Sequence, residues 1–165
     1  MALILPTRIT KFVGPRFGFL SNFYIHPITF LGVTYPSLEH AYQAAKTLDL
    51  EQRRIILAAP TPGQAKYLGS PRGIVTLRPD WMKIRDQIMR DLEEQKYPSA
   101  LQTAHPGWDL TARLLDTGEA ELVEGNTWHD NYWGDCICPR CKKILGGNKL
   151  GYMLMEIRDL RRQGL

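Results

Sequence analysis

No apolar run in this chain approaches 18 residues, so no segment has the length to cross a bilayer as a helix. Met1 to Leu5 is too short for the apolar core of a secretory leader, and the expected address is the cytoplasm. Repeats, low-complexity tracts and linker-like stretches are missing. At 165 residues, one domain over 1–165 is expected, long enough to bury a core without staples. The usual short signatures of chemistry are absent too: no Walker-type phosphate loop, no G-x-G-x-x-G after a strand, no G-x-S-x-G elbow, no H-E-x-x-H. Neither sign of charge dominates. With 21 Lys and Arg against 17 Asp and Glu, the net +4 is a mild lean towards anionic partners such as nucleotides or nucleic acid. The densest basic run, Arg158 to Arg162, reads as the solvated face of a last helix.

Cysteine is scarce and bunched. Cys136, Cys138 and Cys141 lie within six residues, an odd count that makes a poor disulfide framework. Their C-x-C-x-x-C spacing could give three thiolates to a zinc ion, with His129 or a water as fourth ligand. A structural zinc site usually draws on two separated ligand pairs, and one cluster is present here. Reduced thiols in a loop, with no metal and no cofactor, are therefore the preferred reading.

The most informative stretch is Tyr35-Pro36-Ser37-Leu38-Glu39-His40-Ala41-Tyr42-Gln43-Ala44-Ala45-Lys46. Pro36 and Ser37 read as a helix start, with the Ser37 hydroxyl able to accept from an N–H of the first turn. Leu38, Ala41, Ala45 and Leu48 recur at helical spacing as one apolar stripe, and Glu39, Tyr42, Gln43 and Lys46 form a second beside it. The alanines let neighbouring backbone come close. Such a helix packs on one edge and holds an acid, a phenol, an amide and an amine on the other. On spacing alone, Glu39 and Gln43 are an ordinary solvated pair.

Around it, the aromatic segment 16–24 reads as a strand and turn, and Leu31-Gly32 as the tip of a hairpin between 28–30 and 33–35. Asp49 caps a helix that lasts until Pro60. Thr61-Pro62 caps a short one closed by Gly69. Asp80 caps a longer helix, with Trp81, Ile84, Ile88 and Leu92 as its stripe, ending near Tyr97-Pro98. Leu110, Leu114 and Leu115 suggest another helix, stopped by Gly118, and 119–124 alternates like a strand exposed on one face. Residues 125–148 read as a long loop dense in Asn, Asp, Trp and Gly, more than a mere connection needs. Gly146-Gly147-Asn148 before the last helix, about Lys149 to Gln163, could offer N–H groups to a phosphate.

Taken together, Phe19-Leu20-Ser21-Asn22-Phe23-Tyr24, the Tyr35 to Lys46 stretch, Asp80-Trp81, Asp130 to Gly134, Gly147-Asn148-Lys149-Leu150-Gly151, Leu154-Met155 and Arg158 resemble the NADAR (YbiA-like) family, in that family's order and from about residue 17 to 161. The resemblance implies an α+β fold, compact and mainly helical with a small β-sheet. It implies N-glycosidase chemistry on a ribosyl–nitrogen bond. The substrate would be a ribosylamino-pyrimidine phosphate of riboflavin synthesis, or ADP-ribose carried on guanine in nucleic acid such as DNA. Partners would be nucleotide-type small molecules, with no membrane. One departure is plain. After Trp133-Gly134 the family pattern runs quickly through another glycine into G-x-N, whereas here Asp135 to Cys141 and more intervene.

By analogy with glycoside hydrolysis, two carboxyl groups would divide the work. Glu39 would orient or deprotonate water at the anomeric carbon, and Asp130 would bind ribose hydroxyls or assist departure of the base. Trp81 or Trp133 would stack on the base. Lys46, Asn22 and Asn148 would hold phosphate and ribose, with Phe23, Tyr42, Gln43 and Gly134 completing the substrate-binding set. The competing readings are a non-catalytic ADP-ribose or nucleotide reader, and a zinc-supported nucleic-acid binder built on the cysteine loop and the basic last helix.

Overall fold

Capping residues and turn chemistry set most of the elements in the computed structural model, which describes residues 6–102 and 109–165. The Met1–Leu5 stretch considered above lies outside them. In chain order the elements are β1 (Arg8–Ile9), α1 (Gly14–Phe17), a 3-10 turn (Gly18–Leu20), β2 (Ile25–Phe30), β3 (Val33–Ser37), α2 (Leu38–Ala45), α3 (Leu50–Leu57), α4 (Pro62–Leu68), α5 (Trp81–Lys96), α6 (Thr111–Leu115), β4 (Glu121–Leu122), β5 (Gly125–Asn126), β6 (Asp135–Cys136) and α7 (Lys149–Arg162). The fold is α+β and mainly helical. Its strands form three separate two-stranded sheets among the described residues, where one small sheet was expected. No helix among these residues is long and apolar enough to cross a membrane.

By internal contacts the chain divides into two units. One gathers described residues 6–21, 97–102 and 110–165, and the other gathers 22–96 and 109. In the second unit, β2 and β3 pair antiparallel around Leu31 and Gly32, whose φ values of 48° and 79° are the left-handed pair a tight hairpin turn demands. The hairpin, α3, α4 and α5 all pack on α2, so that helix is enclosed and each residue from Leu38 to Ala45 is buried. Asp49 caps α3 through the N–H groups of Glu51 and Gln52, and Thr61 caps α4 through Gln64, with Pro62 in its first turn. Both starts were legible as residue types.

In the first unit, β1 pairs parallel with β4, α7 packs on β4 and on α6, and β5 pairs parallel with β6. The last pair lies inside the stretch expected to be loop throughout. Leu150, Met153, Leu154 and Ile157 form the core face of α7.

Four further expectations need correction. Segment 14–20 is helical, not a strand: Pro15 stands in the first turn of α1, and the consecutive residues Phe19 and Leu20 are both buried, which period-two alternation cannot achieve. Leu48 leaves the apolar stripe because α2 ends at Ala45, and it is 59% exposed. On α5, Met89 is buried while Ile84 and Ile88 are only half-buried. Arg158 is not on a solvated face: it is buried, and its Nη1 donates to Thr117 Oγ1 and to the Ala120 carbonyl, each at 2.9 Å.

Candidate active site

The acid cluster starts from a cap. Ser37 Oγ accepts the His40 backbone N–H at 3.4 Å and lies 2.7 Å from His40 Nδ1. His40 Nε2 lies 3.1 Å from the Ala59 carbonyl, which can only accept, so Nε2 carries the proton. Nδ1 is then the acceptor for the Ser37 hydroxyl, and His40 is neutral. Burial pushes its pKa below the ordinary imidazole value, against the backbone bond to Ala59. A cap of this kind contributes roughly 1 kcal/mol, and here it also fixes the helix's rotation. His40 is structural.

Rotation fixed, the next residue is Glu39. It is 6% exposed, and its backbone N–H donates to the Asn22 carbonyl at 3.0 Å. Its Oε1 accepts from Gln43 Nε2 at 2.7 Å, one helical turn on. The pair that spacing alone would leave in solvent is thus buried. Since a carboxylate only accepts, the amide of Gln43 must turn its nitrogen to Glu39, and Gln43 Oε1 is left buried with no hydrogen-bond partner. Asn22 Oδ1 is left in the same condition, its Nδ2 donating to Met89 Sδ at 3.4 Å. Buried polar atoms are nearly always paired, so acceptors left over beside an acid are open to a donor, whether a water or a ligand hydroxyl or N–H.

The rest of the polar edge closes around this pair. Lys46 Nζ donates to the Gly69 carbonyl at 3.0 Å and stands 5.8 Å from the centre of the Tyr42 ring. Burial holds its ammonium below the usual lysine range; the charge of Glu39 opposes that shift and Lys66 adds to it. The Tyr42 and Trp81 rings meet at 5.0 Å between centroids, tilted 58°, and both are buried. The packing half of the Trp81 reading is therefore realised on Tyr42. Phe23 differs: its ring is 41% exposed, with Lys66 Nζ 5.6 Å from its centre. Asp80 stands just before α5, and its carboxylate grips Arg78 at 2.6 and 3.0 Å.

Gly69 escaped the sequence as a site residue. Its φ of −86° needs no glycine, so its role is room. A methyl there would overlap Gln43 Oε1 and stand 2.8 Å from its Cδ. Nothing local signals this contact, because the stop of α4 and the second turn of α2 are 26 residues apart (69 − 43).

Asp130, Trp133, Gly134 and Asn148 belong to the first unit. Asp130 Oδ1 accepts from the N–H groups of Tyr132 and Trp133, at 3.0 and 2.9 Å. Trp133 is half-buried, edge-on to Tyr132 at 5.1 Å. The Gly134 carbonyl accepts from Asn148 N at 3.0 Å. The ligand-holding role expected of Asn148 meets a side chain committed at both ends: Oδ1 takes the Glu124 N–H and Nδ2 donates to the Leu122 carbonyl, each at 2.9 Å. Cys136, Cys138 and Cys141 are buried free thiols gathered beside His129.

A helix-rich α+β protein with a buried acid and amide one turn apart, a lysine behind them and acceptors left over is the class that fold and site define. Known proteins narrow it. The model of the NADAR domain family matches residues 11–161. The N-glycosidase YbiA of Escherichia coli (strain K12) is 37% identical over 143 residues, covering 87% of this chain and 81% of that protein. An N-glycosidase of Nostoc punctiforme is 36% identical, over 89% of this chain and 87% of its own length. A riboflavin biosynthesis protein of Vibrio vulnificus is 37% identical over 86% of this chain, which spans 35% of that longer protein. The NMR structure of Escherichia coli YbiA superposes with a TM-score of 0.74 at 33% identity, covering 98% of this chain and 88% of that one. The chain belongs to the NADAR domain family.

Proposed function

We propose that this protein is an N-glycosidase that hydrolyses a ribosyl–nitrogen bond, with Glu39 as the carboxylate facing the anomeric carbon. The observation that carries the proposal is the burial of Glu39 with one oxygen held by Gln43, which fixes the carboxylate where a mobile surface acid would wander. Kinship with proteins named as N-glycosidases supports the reaction class. In the step itself, water oxygen bonds to C1′ as the C1′–N bond breaks. The bonding pair leaves with the base nitrogen, which takes a proton from a second acid, and Glu39 takes the proton released by the water. One proton then returns from Glu39 to the second acid through solvent to complete the cycle. Positive charge on the sugar rises in the transition state, and a fixed carboxylate favours it there more than in the ground state.

Asn22 Oδ1 and Gln43 Oε1 accept from ribose hydroxyls, which supplies the partners they lack. Phe23, next in sequence to the residue that holds the Glu39 N–H, brings a partly exposed aromatic side chain for a base, and Lys46 and Lys66 bring positive charge for phosphate. Asp130 is proposed as the second acid of the reaction; its Oδ1 already serves the N–H groups of Tyr132 and Trp133. Two substrates fit this chemistry, ADP-ribose on guanine in nucleic acid and ribosylamino-pyrimidine phosphate. The kinship with riboflavin biosynthesis proteins favours the second; the net +4 leans towards the first.

The test offers both substrates in parallel and follows released base. Wild type is expected to turn over one of them, and Glu39→Gln to bind it while releasing base ~10³-fold more slowly, within the usual span for a general acid or base. Equal rates for the two proteins would end the assignment. Tight ADP-ribose binding without turnover, unchanged in Glu39→Gln, would instead identify a nucleotide reader.

A further inference from the structure

We infer that His129, Cys136, Cys138 and Cys141 bind one zinc ion, and that this metal is the core of the segment that departs from the family pattern. The ligand atoms of the four residues all lie within 4.8 Å of one another. His129 Nδ1 is 3.2 Å from Cys138 Sγ and 3.4 Å from Cys141 Sγ. With Zn–S near ~2.3 Å and Zn–N near ~2.0–2.1 Å, a tetrahedral site has edges of roughly 3.5–3.8 Å, so four donors this close need only settle onto the ion. Three thiolates and an imidazole are soft, tetrahedral, zinc-type donors. Four protein ligands leave no open position, which makes the site structural, with neither substrate nor nucleic acid bound at the metal.

Two further observations point the same way. Between Asp135 and Gly147 the buried residues are Cys136, Cys138 and Cys141, while Ile137, Ile144 and Leu145 are exposed at 67%, 57% and 94%. A segment that buries thiols and exposes its aliphatics has no hydrophobic core of its own, and small units in that position are held by a metal or a staple. An odd thiol count in a single cluster argues against a disulfide as that staple. The excursion also leaves and re-enters at one place, because Asn148 N donates to the Gly134 carbonyl at 3.0 Å and Gly147 N to the Asn131 carbonyl at 2.8 Å.

The second observation is the way His129 is held. Its φ of 69° is left-handed, uncommon for a residue with a side chain and sustained only where surroundings over-determine it. Asn126 Oδ1 accepts from Trp128 N and Asp130 N on either side of it, and Asn126 Nδ2 donates to the Asp130 carbonyl at 2.6 Å. The His129 backbone N–H itself donates to Cys136 Sγ at 3.3 Å, the outer-sphere bond a metal-bound thiolate accepts. The sequence pointed away from zinc because the cysteines form one cluster. His129, already the candidate fourth ligand in the sequence, is brought by the fold from seven residues upstream (136 − 129) to within 3.2 and 3.4 Å of two of the cysteine sulfurs.

The test uses the full chain, purified without chelator and assayed for metal by elemental analysis and native mass spectrometry. About one zinc per chain is expected. Exchange with Co2+ should give the intense visible bands of a tetrahedral site and the thiolate-to-cobalt bands of three sulfurs. Free thiols should go from three reactive groups in chelator-treated protein to none after Zn2+ is added. Cys141→Ser and His129→Ala should weaken zinc retention against a chelator by at least the ~10–100-fold that even outer-shell changes cost. Should those variants fail to fold, the wild-type cobalt spectrum and thiol titration still decide. No metal with unchanged thiol reactivity on adding Zn2+, an octahedral cobalt spectrum, or a disulfide in the native mass would each overturn the assignment.

Discussion

The helix that carries Glu39 and the loop that carries Asp130 arrange polar side chains by opposite means. In α2 the backbone satisfies itself, so Glu39 and Gln43, one turn apart, are free to bond each other, and acceptors on Gln43 and Asn22 are left over. Along 125–148 there is no helix and only a two-residue ladder, so side chains must serve the backbone. Asn126, Asp130, Asn131 and Asn148 all commit oxygens to N–H groups there. The same residue types thus mean different things. In an enclosed helix, an amide or acid has spare valence for a ligand. In an irregular stretch it is first of all a strut.

Changes that cross this divide sharpen it. The largest effect belongs to Glu39→Gln, whose ~10³-fold loss of turnover should far outweigh its effect on folding. A glutamine there can still accept from Gln43 and gives up only the charge that favours the Lys46 ammonium. Gly69→Ala comes next. It crowds the Gln43 amide from behind and should lower kcat/KM by about 10–100-fold, the scale of a displaced catalytic group, with a loss of about 1–3 kcal/mol for overpacking; steady-state kinetics and urea unfolding read the two parts. If Gly69→Ala is silent, the amide is not what positions the acid.

Asp130 divides strut from chemistry within one residue. Asp130→Ala removes the acceptor of two N–H groups and should cost about 1–3 kcal/mol. Asp130→Asn keeps that acceptor and should unfold with wild type while turning over at least ~10-fold more slowly. Full activity in Asp130→Asn would reduce the aspartate to a turn residue.

The smallest effect is on pH. His40 is held neutral, with its folded pKa below the free value of 6.5. As pH falls through 6.5 the unfolded chain gains a proton that the folded chain refuses, so stability declines from there down to the folded pKa and is unaffected by this group above 6.5. Thermal unfolding against pH should show that acid-side slope in wild type and a weaker one in His40→Gln.

The divide also explains what could be seen in advance. Features fixed by neighbours in sequence were legible: the caps Ser37, Asp49 and Thr61, the Leu31-Gly32 turn, the core stripe of α7 and the order of the family motifs. Features fixed by distant contacts were not. Gly69 reads as a helix stop until Gln43 is found behind it, and Arg158 reads as surface until Thr117 and Ala120 receive it. Segment 14–20 failed for another reason: its aromatics carry strand propensity, but burial of two adjacent residues outweighs it.

The hairpin tip offers something of practical use. Leu31 holds a left-handed backbone at 70% exposure, which costs an ordinary side chain about 1–2 kcal/mol. Asparagine tolerates that geometry, and Asn-Gly is the favoured pair for such a turn. Leu31→Asn therefore makes a hardier parent protein, one in which a damaged variant such as Gly69→Ala can be purified and assayed while still folded.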